Sequence, residues 1–349
     1  MMSRGGLNLK ATSILALLIF AGVIVVYRIS AQTDKEVDRG VPEDTLSLEK
    51  DRVASVQSTP TKCQNSVELK NVYSRDSTKW TLNEHVCKEC HDFPKATLKT
   101  QFGDTPIFIY PSENDVWVSG VIKNTGKFEA DKTNGIAALL KADSKMNLID
   151  IGANIGVHTL AIAKMGRKVI AVEALDKNVQ HLCASVAAGN LQRDVTIVHN
   201  AISDGHTRVK LGIDKNNMGG TYVDVDSTLI KELKEGRAQG SYGEVDTITM
   251  DDLIDLPAFK DFSKVIVKMD IEGFEHKAVA KSDKFFKAVD VQGFVMEWEF
   301  HRKMASGVDI LKRMKDLKFE PFRVENPTAR LSIESSDSWP YDVLWRPVK

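Results

Sequence analysis

The stretch Leu148-Ile-Asp-Ile-Gly-Ala-Asn-Ile-Gly-Val-His-Thr159 decides the predicted fold. Its first four residues are apolar except for Asp150, which is typical of a short buried strand. Gly152 and Gly156, with Asn154 between them, allow the backbone to turn tightly and to approach a ligand. The stretch therefore predicts a strand, a ligand-binding turn and a helix, which together begin an α/β fold.

Strand and helix patterns continue to alternate beyond this stretch. Further strands are predicted at Val169–Glu173, Val195–His199, Val265–Asp270 and Gly293–Glu299, with helices at Gly156–Lys164, Lys177–Asn190 and Phe274–Phe286. The outer elements are a hairpin at Ala201–Asp214, a loop or lid at 215–244, and a closing strand pair at Phe319–Val324 and Asp342–Trp345. This alternation predicts an α/β fold with a mostly parallel sheet and helices on both faces.

An acidic residue and a missing glycine pattern narrow the choice of cofactor. Glu173 closes the second strand, 21 residues after Gly152, where α/β folds place an acid that binds ribose hydroxyls. The dinucleotide pattern G-x-G-x-x-G fails, because Asn154 and Val157 stand at its second and third glycines. This failure disfavours an oxidoreductase. The loop suits a cofactor without a pyrophosphate, such as S-adenosylmethionine, and a tight turn without a ligand is the alternative.

Four motifs occur in an order that resembles FkbM-type S-adenosylmethionine-dependent methyltransferases. They are Leu148–Thr159, Val172-Glu-Ala174, Val245-Asp-Thr-Ile-Thr249 and Lys268-Met-Asp-Ile-Glu-Gly-Phe-Glu275. The resemblance covers about Asn147 to His301. It implies a class I, Rossmann-like methyltransferase fold, S-adenosylmethionine as cofactor and methyl transfer to hydroxyls, often on sugars or macrolides. The N-terminal region also resembles that of animal methyltransferase-like proteins of the secretory pathway.

The resemblance and the strand positions together indicate the cofactor residues. These are Asp150, Gly152, Asn154, Gly156, Glu173 and Asn200. Asp150 is expected to position the amino-acid part of the cofactor, the loop residues to line it, and Glu173 to bind the ribose. Asn200 follows the third strand and is expected near the adenine, although it also suits a hairpin turn.

Polar residues follow two later strands, where open α/β sheets bind their ligands. Asp270 is the first candidate for a catalytic carboxylate, although an Asp at this place also suits a helix N-cap. His301 is a candidate general base, and Glu297 a further catalytic candidate. Glu297 and Glu299 alternate on one predicted strand face, and with Asp270 they would offer oxygen ligands to Mg²⁺ or Mn²⁺. A base or a metal is needed because a sugar hydroxyl is only weakly acidic.

The chain before the methyltransferase motifs divides into segments of different composition. We predict a cytosolic tail at 1–10, a transmembrane signal anchor at 11–28, a flexible stem at 29–62, a Cys-containing extension at 63–146 and the methyltransferase domain at 147–349. The anchor prediction rests on 17 uncharged residues from Ala11 to Tyr27, a short bilayer span. A cleaved signal peptide is less favoured because residues 29–31 form a poor cleavage site. A buried core helix is a third alternative.

The four cysteines are Cys63, Cys87, Cys90 and Cys183. In an oxidising lumen Cys63 is expected to pair with Cys87 or Cys90. A zinc site and, from the C-x-x-C-H motif, a haem attachment are the alternatives. Cys183 lies in a helical pattern and is expected to be a buried free thiol.

Charge and layout complete the functional prediction. Lys and Arg total 47 against 48 Asp and Glu, so the formal net charge of −1 disfavours a nucleic-acid partner and fits a neutral acceptor. We expect a type II Golgi membrane protein whose luminal domain methylates a glycan hydroxyl. The alternatives are a lipid or small-molecule hydroxyl as acceptor, or a catalytically inactive binding module. The intact loop and Glu173 argue against the inactive module.

Overall fold

The computed structural model describes residues 67–89, 91–214, 217–224 and 238–348, and near the N-terminus the two residue pairs 19–20 and 23–24. These two pairs, Ile19–Phe20 and Val23–Ile24, form a short antiparallel bridge inside the predicted anchor. The remainder of the predicted tail, anchor and stem lies outside the described residues. No helix in the described ranges is long and apolar enough to cross a membrane.

The strands and helices from residue 72 onward have the following bounds. The strands are β1 (Val72–Arg75), β2 (Trp80–Leu82), β3 (Lys95–Leu98), β4 (Thr105–Phe108), β5 (Asn147–Ile151), β6 (Val169–Glu173), β7 (Val195–His199), β8 (Ala201–Ile202), β9 (Arg208–Asp214), β10 (Asn217–Asp224), β11 (Ala238–Ile248), β12 (Lys264–Met269), β13 (Asp290–Glu297), β14 (Phe319–Arg323) and β15 (Asp342–Pro347). The α-helices are α1 (Ser119–Thr125), α2 (Ala130–Lys141), α3 (Val157–Lys164), α4 (Asp176–Ala188), α5 (Glu275–Ala280), α6 (Asp283–Ala288) and α7 (Ala305–Asp316).

The central sheet has the order β14-β15-β13-β12-β5-β6-β7-β1-β2 among the described strands. Its six middle strands, from β13 to β1, run parallel, while β15, β14 and β2 are antiparallel to their neighbours. This arrangement confirms the predicted Rossmann-like methyltransferase fold with a mostly parallel sheet. The carboxyl ends of β5, β6, β12 and β13 therefore meet at one edge, where the candidate site lies.

Alternating side chains along the strands build a core on each face of the sheet. Ile149 and Ile151 of β5 pack on one face in a cluster with α5, α6 and α7, whereas Leu148 packs on the other face with α2, α3 and α4. Both clusters consist of buried aliphatic and aromatic residues. Because both faces are covered, the central strands are apolar almost throughout, as expected for a parallel sheet.

The predicted extension contributes directly to this sheet. Val72 of β1 lies opposite Ile197 of β7 in a parallel pairing, and β2 adds an edge strand beyond it. The described residues from 67 onward all fall within one compact unit, Pro60–Lys349. The predicted extension and the methyltransferase domain thus share one sheet and one core.

The prediction of a loop or lid at 215–244 is wrong in part. A second sheet has the order β8-β11-β9-β10, so residues 217–224 and 238–244 belong to strands. The predicted hairpin at Ala201–Asp214 is also different, because β8 pairs parallel with β11 rather than with β9. Residues 225–237 lie outside the described residues.

The prediction that Cys183 is a buried free thiol is wrong, because this cysteine forms a disulfide. Cys87, in the short 3₁₀ helix Glu84–Lys88, is bonded to Cys183 of α4, and their Cα atoms are 5.7 Å apart. Sequence patterns did not indicate this pair, because the two residues are separated by 96 positions. Cys63 and Cys90 lie outside the described residues.

Candidate active site

The loop between β5 and α3 has a strained backbone that runs against the end of β12. Gly152, Asn154 and Gly156 all have positive φ, at 76°, 52° and 99°. A Cβ atom on Gly152 would lie 1.8 Å from the carbonyl oxygen of Asp270, so only glycine fits there. The predicted loop residues are therefore held beside the predicted catalytic carboxylate. The first N–H groups of α3 lack helical partners and face the ligand end of the sheet.

Glu173 joins this loop to helix α4. Its Oε2 accepts a hydrogen bond of 2.7 Å from the backbone N–H of Asn154, and its Oε1 accepts bonds from Leu175 N at 2.9 Å and Asn178 Nδ2 at 3.2 Å. Burial raises the pKa of Glu173. Asn178 also donates to the carbonyl of Gly219 in β10, so this strand covers the carboxylate.

Asp150 is fully buried beneath the loop. Its Oδ2 accepts a hydrogen bond of 2.6 Å from Thr159 Oγ1, and its Oδ1 lies 3.4 Å from Lys268 Nζ. Lys268 in turn donates a 2.7 Å bond to the carbonyl of Gly152. Burial acts to lower the pKa of Lys268, but the Asp150 and Asp270 carboxylates raise it above its usual value. The buried pair of Asp150 and Lys268 thus holds the loop in place through the hydrogen bond from Lys268 to Gly152.

Asp270 follows β12 and lies between two lysines. Its Oδ2 is 3.2 Å from Lys132 Nζ and 3.9 Å from Lys268 Nζ. Burial acts to raise the pKa of Asp270, but Lys268 and Lys132 outweigh it and hold this pKa below its usual value. The Asp270 side chain keeps 24% of its surface exposed, so an incoming group can reach it.

Glu297 ends β13 directly beside Asp270. It is 6% exposed, and its Oε2 has no hydrogen-bond partner among the described residues. Burial and then the neighbouring Asp270 carboxylate raise the pKa of Glu297 well above its usual value. The strand register places it opposite Asp342 of β15, whose pKa is raised by burial to about 6. Burial and the neighbouring carboxylates therefore favour the protonated form of Glu297 more than in an exposed glutamate.

The His301 side chain is buried behind the candidate site and does not point into it. The side chain is 1% exposed, its Nε2 lies 2.7 Å from Glu275 Oε2 and its Nδ1 lies 2.9 Å from Ser306 Oγ. Glu275 also accepts a 2.7 Å bond from the backbone N–H of Ile271. Because both ring nitrogens are engaged, the structure gives this predicted base a different role, which is to fix the loop after Asp270.

The three predicted metal ligands do not come together. Strand β13 ends at Glu297, and Glu299 lies in the 3₁₀ helix Glu299–His301, where it forms an ion pair with Arg302. Glu297 and Glu299 thus do not alternate on one strand face, which was the basis of the prediction. Within the described ranges no group of three or more His, Cys, Asp or Glu side chains is placed to hold a metal ion.

Asn200 is used to join strands. Its Nδ2 donates to the carbonyls of Arg75 and Asp246, both at 2.9 Å, and its Oδ1 accepts from Arg75 N at 2.8 Å. The side chain is 2% exposed. With both amide hydrogens engaged, Asn200 holds β1 against the second sheet, and its predicted contact with adenine stays a prediction.

Sequence patterns do not indicate the residues that surround Asp270 from other segments. Lys132 and Glu129 come from the start of α2, and His158 Nε2 lies 3.1 Å from Glu129. Asp342 comes from β15, 2.9 Å from Lys132 Nζ. One signal was visible, because a lysine in the apolar strand β12 requires a buried acidic partner. The other residues show no pattern that would have joined them.

A family comparison identifies the domain that contains this site as a methyltransferase domain. The family model described as the methyltransferase FkbM domain matches residues 150–321, from the end of β5 into β14. This part of the chain belongs to the FkbM methyltransferase family, and the protein is a methyltransferase. The match begins at Asp150 and contains the loop, Glu173, Asp270 and Glu297.

Solved methyltransferase structures show distant similarity. An S-adenosylmethionine-dependent O-methyltransferase from Thermotoga maritima has 14% identity and a TM-score of 0.35, covering 83% of this chain and 97% of that chain. An O-methyltransferase from Bacillus cereus in complex with SAH has 13% identity and a TM-score of 0.34, covering 62% and 81%. A precorrin-6y C5,15-methyltransferase from Geobacter metallireducens has 10% identity and a TM-score of 0.33, covering 62% and 86%. No curated protein matches the sequence. The family match carries the assignment.

Proposed function

We propose that the protein is an O-methyltransferase that transfers a methyl group to a sugar hydroxyl of a glycan in the Golgi lumen. One observation carries the chemical part of this proposal: Asp270, partly exposed and held by two lysines, lies directly against the glycine loop of the FkbM domain. A carboxylate beside a methyl-donor site is suited to receive the proton of a hydroxyl acceptor.

The residues of the loop fit S-adenosylmethionine. The backbone at Gly152 leaves no room for a Cβ atom, and Glu173 provides a carboxylate for the two ribose hydroxyls. Glu173 would exchange its bond from Asn178 for one of these hydroxyls. In the cluster beyond the loop, carboxyl groups outnumber the ammonium groups of Lys132 and Lys268, and this excess of acids favours a cationic sulfonium.

The reaction requires an aligned acceptor and a route for its proton. S-adenosylmethionine supplies an electrophilic methyl group on a sulfonium. Asp270 would accept a hydrogen bond from the acceptor hydroxyl, orient its oxygen, and take up the proton that this hydroxyl loses. Glu297, whose pKa is raised by burial and whose Oε2 has no hydrogen-bond partner among the described residues, would donate a hydrogen bond to a neighbouring oxygen of the acceptor when it is protonated.

Three features support a glycan acceptor in the secretory pathway. The Cys87–Cys183 disulfide is typical of proteins from oxidising compartments. The uncharged run at 11–27 and the polar segment after it suit an anchor and stem that hold the domain in the lumen. The near-zero net charge fits an uncharged sugar better than a sulfated or phosphorylated one.

The test is transfer of radiolabelled methyl groups by the full chain to a panel of neutral glycans, lipids and peptides. We expect label in the glycan fraction, and a loss of about 100-fold or more in Asp270→Asn because the proton acceptor is removed. Asp316→Asn, at an exposed position on α7, serves as the matched control and should retain full transfer.

The outcomes separate the parts of the proposal. Label only in the lipid or peptide fraction would replace the glycan by that acceptor class. Full transfer by Asp270→Asn would remove this residue from the mechanism. An absence of label in every fraction, together with no binding of S-adenosylhomocysteine, would favour an inactive binding module.

A further inference from the structure

A lysine from outside the FkbM domain reaches the candidate active site. Lys132 lies on α2, 18 positions before the first residue of the matched range 150–321. Its side chain is 6% exposed. The helix begins after Glu129, a residue with φ of 44° and thus in the left-handed region. Such backbone strain in a residue other than glycine is costly, and it is often found at functional sites.

The Lys132 ammonium group holds three carboxylates together. Its Nζ lies 3.0 Å from Glu129, 3.2 Å from Asp270 Oδ2 and 2.9 Å from Asp342 Oδ1. Asp270 follows β12 and Asp342 begins β15, while β13 lies between these strands. A single ammonium group therefore bridges two strands that are not neighbours, above the end of β13 where Glu297 lies.

The contact leaves one oxygen of Asp270 available. Both lysines approach Oδ2, whereas Oδ1 has no hydrogen bond or ion pair to the described residues. The Asp270 side chain as a whole is 24% exposed. Binding one oxygen of a carboxylate fixes its rotation, so the other oxygen points in a defined direction.

Stability alone does not account for this cluster. Removing charged groups from water costs several kcal/mol per ion, and buried ion pairs are often no more stabilising than apolar residues of similar size. The cluster lies at the carboxyl ends of the strands, where α/β folds bind their ligands. Its effect on the direction of the Asp270 carboxylate is the more direct explanation.

We propose that Lys132 is a positioning residue that orients the Asp270 carboxylate toward the acceptor hydroxyl, so that helix α2 completes the active site of the FkbM domain. This inference rests on the proposed function of Asp270. It assigns a part of the catalytic machinery to the extension, and the FkbM match alone does not include that part.

The test compares full-length wild type with Lys132→Met, Lys132→Arg and Lys141→Met. Lys141 is an exposed lysine at the end of the same helix, so its variant is the matched control. Three properties are measured: kcat and KM for radiolabelled methyl transfer to the glycan panel, the affinity for S-adenosylhomocysteine by calorimetry, and the midpoint of thermal unfolding.

We expect Lys132→Met to lower kcat by about 100-fold, because the oriented proton acceptor is lost, while the affinity for S-adenosylhomocysteine changes less than about threefold. Lys132→Arg keeps the charge and should recover part of kcat. Lys141→Met should have the same kcat and the same affinity for S-adenosylhomocysteine as wild type. Equal kcat in Lys132→Met and Lys141→Met would overturn the inference, and so would a fall in cofactor affinity that matches the fall in kcat.

A double-mutant cycle separates this inference from the proposed function. Lys132→Met should lower the unfolding midpoint, and adding Asp270→Asn should restore part of it because the unpaired charge is removed. If the two substitutions are coupled in their effect on the unfolding midpoint, but wild type transfers no methyl group, the ion pair is present and the proposed function is wrong. Additive effects in an active enzyme would overturn the positioning role while leaving the function in place.

Discussion

Two of the contacts between the extension and the methyltransferase domain have opposite character. On α4 the contact is covalent and aromatic: Cys87 is bonded to Cys183, and the ring of Phe93 stacks on His181 at a centroid distance of 3.6 Å. At the strand ends the contact is ionic, because Lys132 binds carboxylates of the domain. The first contact suits stability, whereas the second suits the placement of a reacting group.

Burial affects ionisable groups differently at the two contacts. Burial lowers the pKa of His181 to about 4, so this ring is neutral at physiological pH. Burial also acts to lower the pKa of Lys132, but the Glu129, Asp342 and Asp270 carboxylates raise it well above its usual value. The partners therefore decide whether a buried group carries charge.

The largest expected change in stability comes from breaking the covalent contact. Replacing Cys87 and Cys183 together by serine opens a loop of 96 residues, for which the chain-entropy relation gives a loss of about 4.7 kcal/mol. Chemical unfolding of the full chain should show this loss. Methyl transfer measured well below the unfolding midpoint should change little. A large loss of kcat with unchanged stability would contradict the view that the disulfide contact contributes to stability and not to the placement of a reacting group.

A smaller effect is expected from the pH dependence of the aromatic contact. The pKa of His181 is about 4 in the folded protein and about 6.5 when unfolded, so the unfolded chain binds more protons between these values. Stability should therefore fall as the pH decreases from about 6.5 to 4, by at most about 3 kcal/mol. His181→Gln should remove this part of the pH dependence, and His85→Gln, at an exposed position, should keep it. Equal slopes in both variants would contradict a buried neutral His181.

The sequence predicted the parallel strands closely because their patterns are local. Apolar runs bounded by Gly, Asn or Asp identified Val169–Glu173 and Val195–His199 with the bounds that the structure has. The end of β13 was misjudged, because Trp298 continues the apolar pattern while its backbone has already left the strand. An apolar side chain packs equally well at the end of a strand and in the turn that follows it.

The site was predicted only in the part that is local in sequence. Gly152, Asn154 and Glu173 could be found because spacing within one strand–helix–strand unit determines their positions. Lys132 and the Cys87–Cys183 bond could not, since the residues that they join are separated by 138 and 96 positions. No periodicity relates such segments, and their contact depends on how the extension packs against the finished sheet.

We infer that the loop at Gly152–Gly156 and Glu173 form the cofactor site of a methyltransferase. Calorimetry of S-adenosylhomocysteine with the full chain tests it most directly, using wild type, Glu173→Gln and the exposed control Glu113→Gln. We predict one site per chain, an affinity weakened by about 10- to 100-fold in Glu173→Gln because a charged hydrogen-bond acceptor is lost, and no change in the control. No binding by wild type, or equal affinity in all three proteins, would contradict the account.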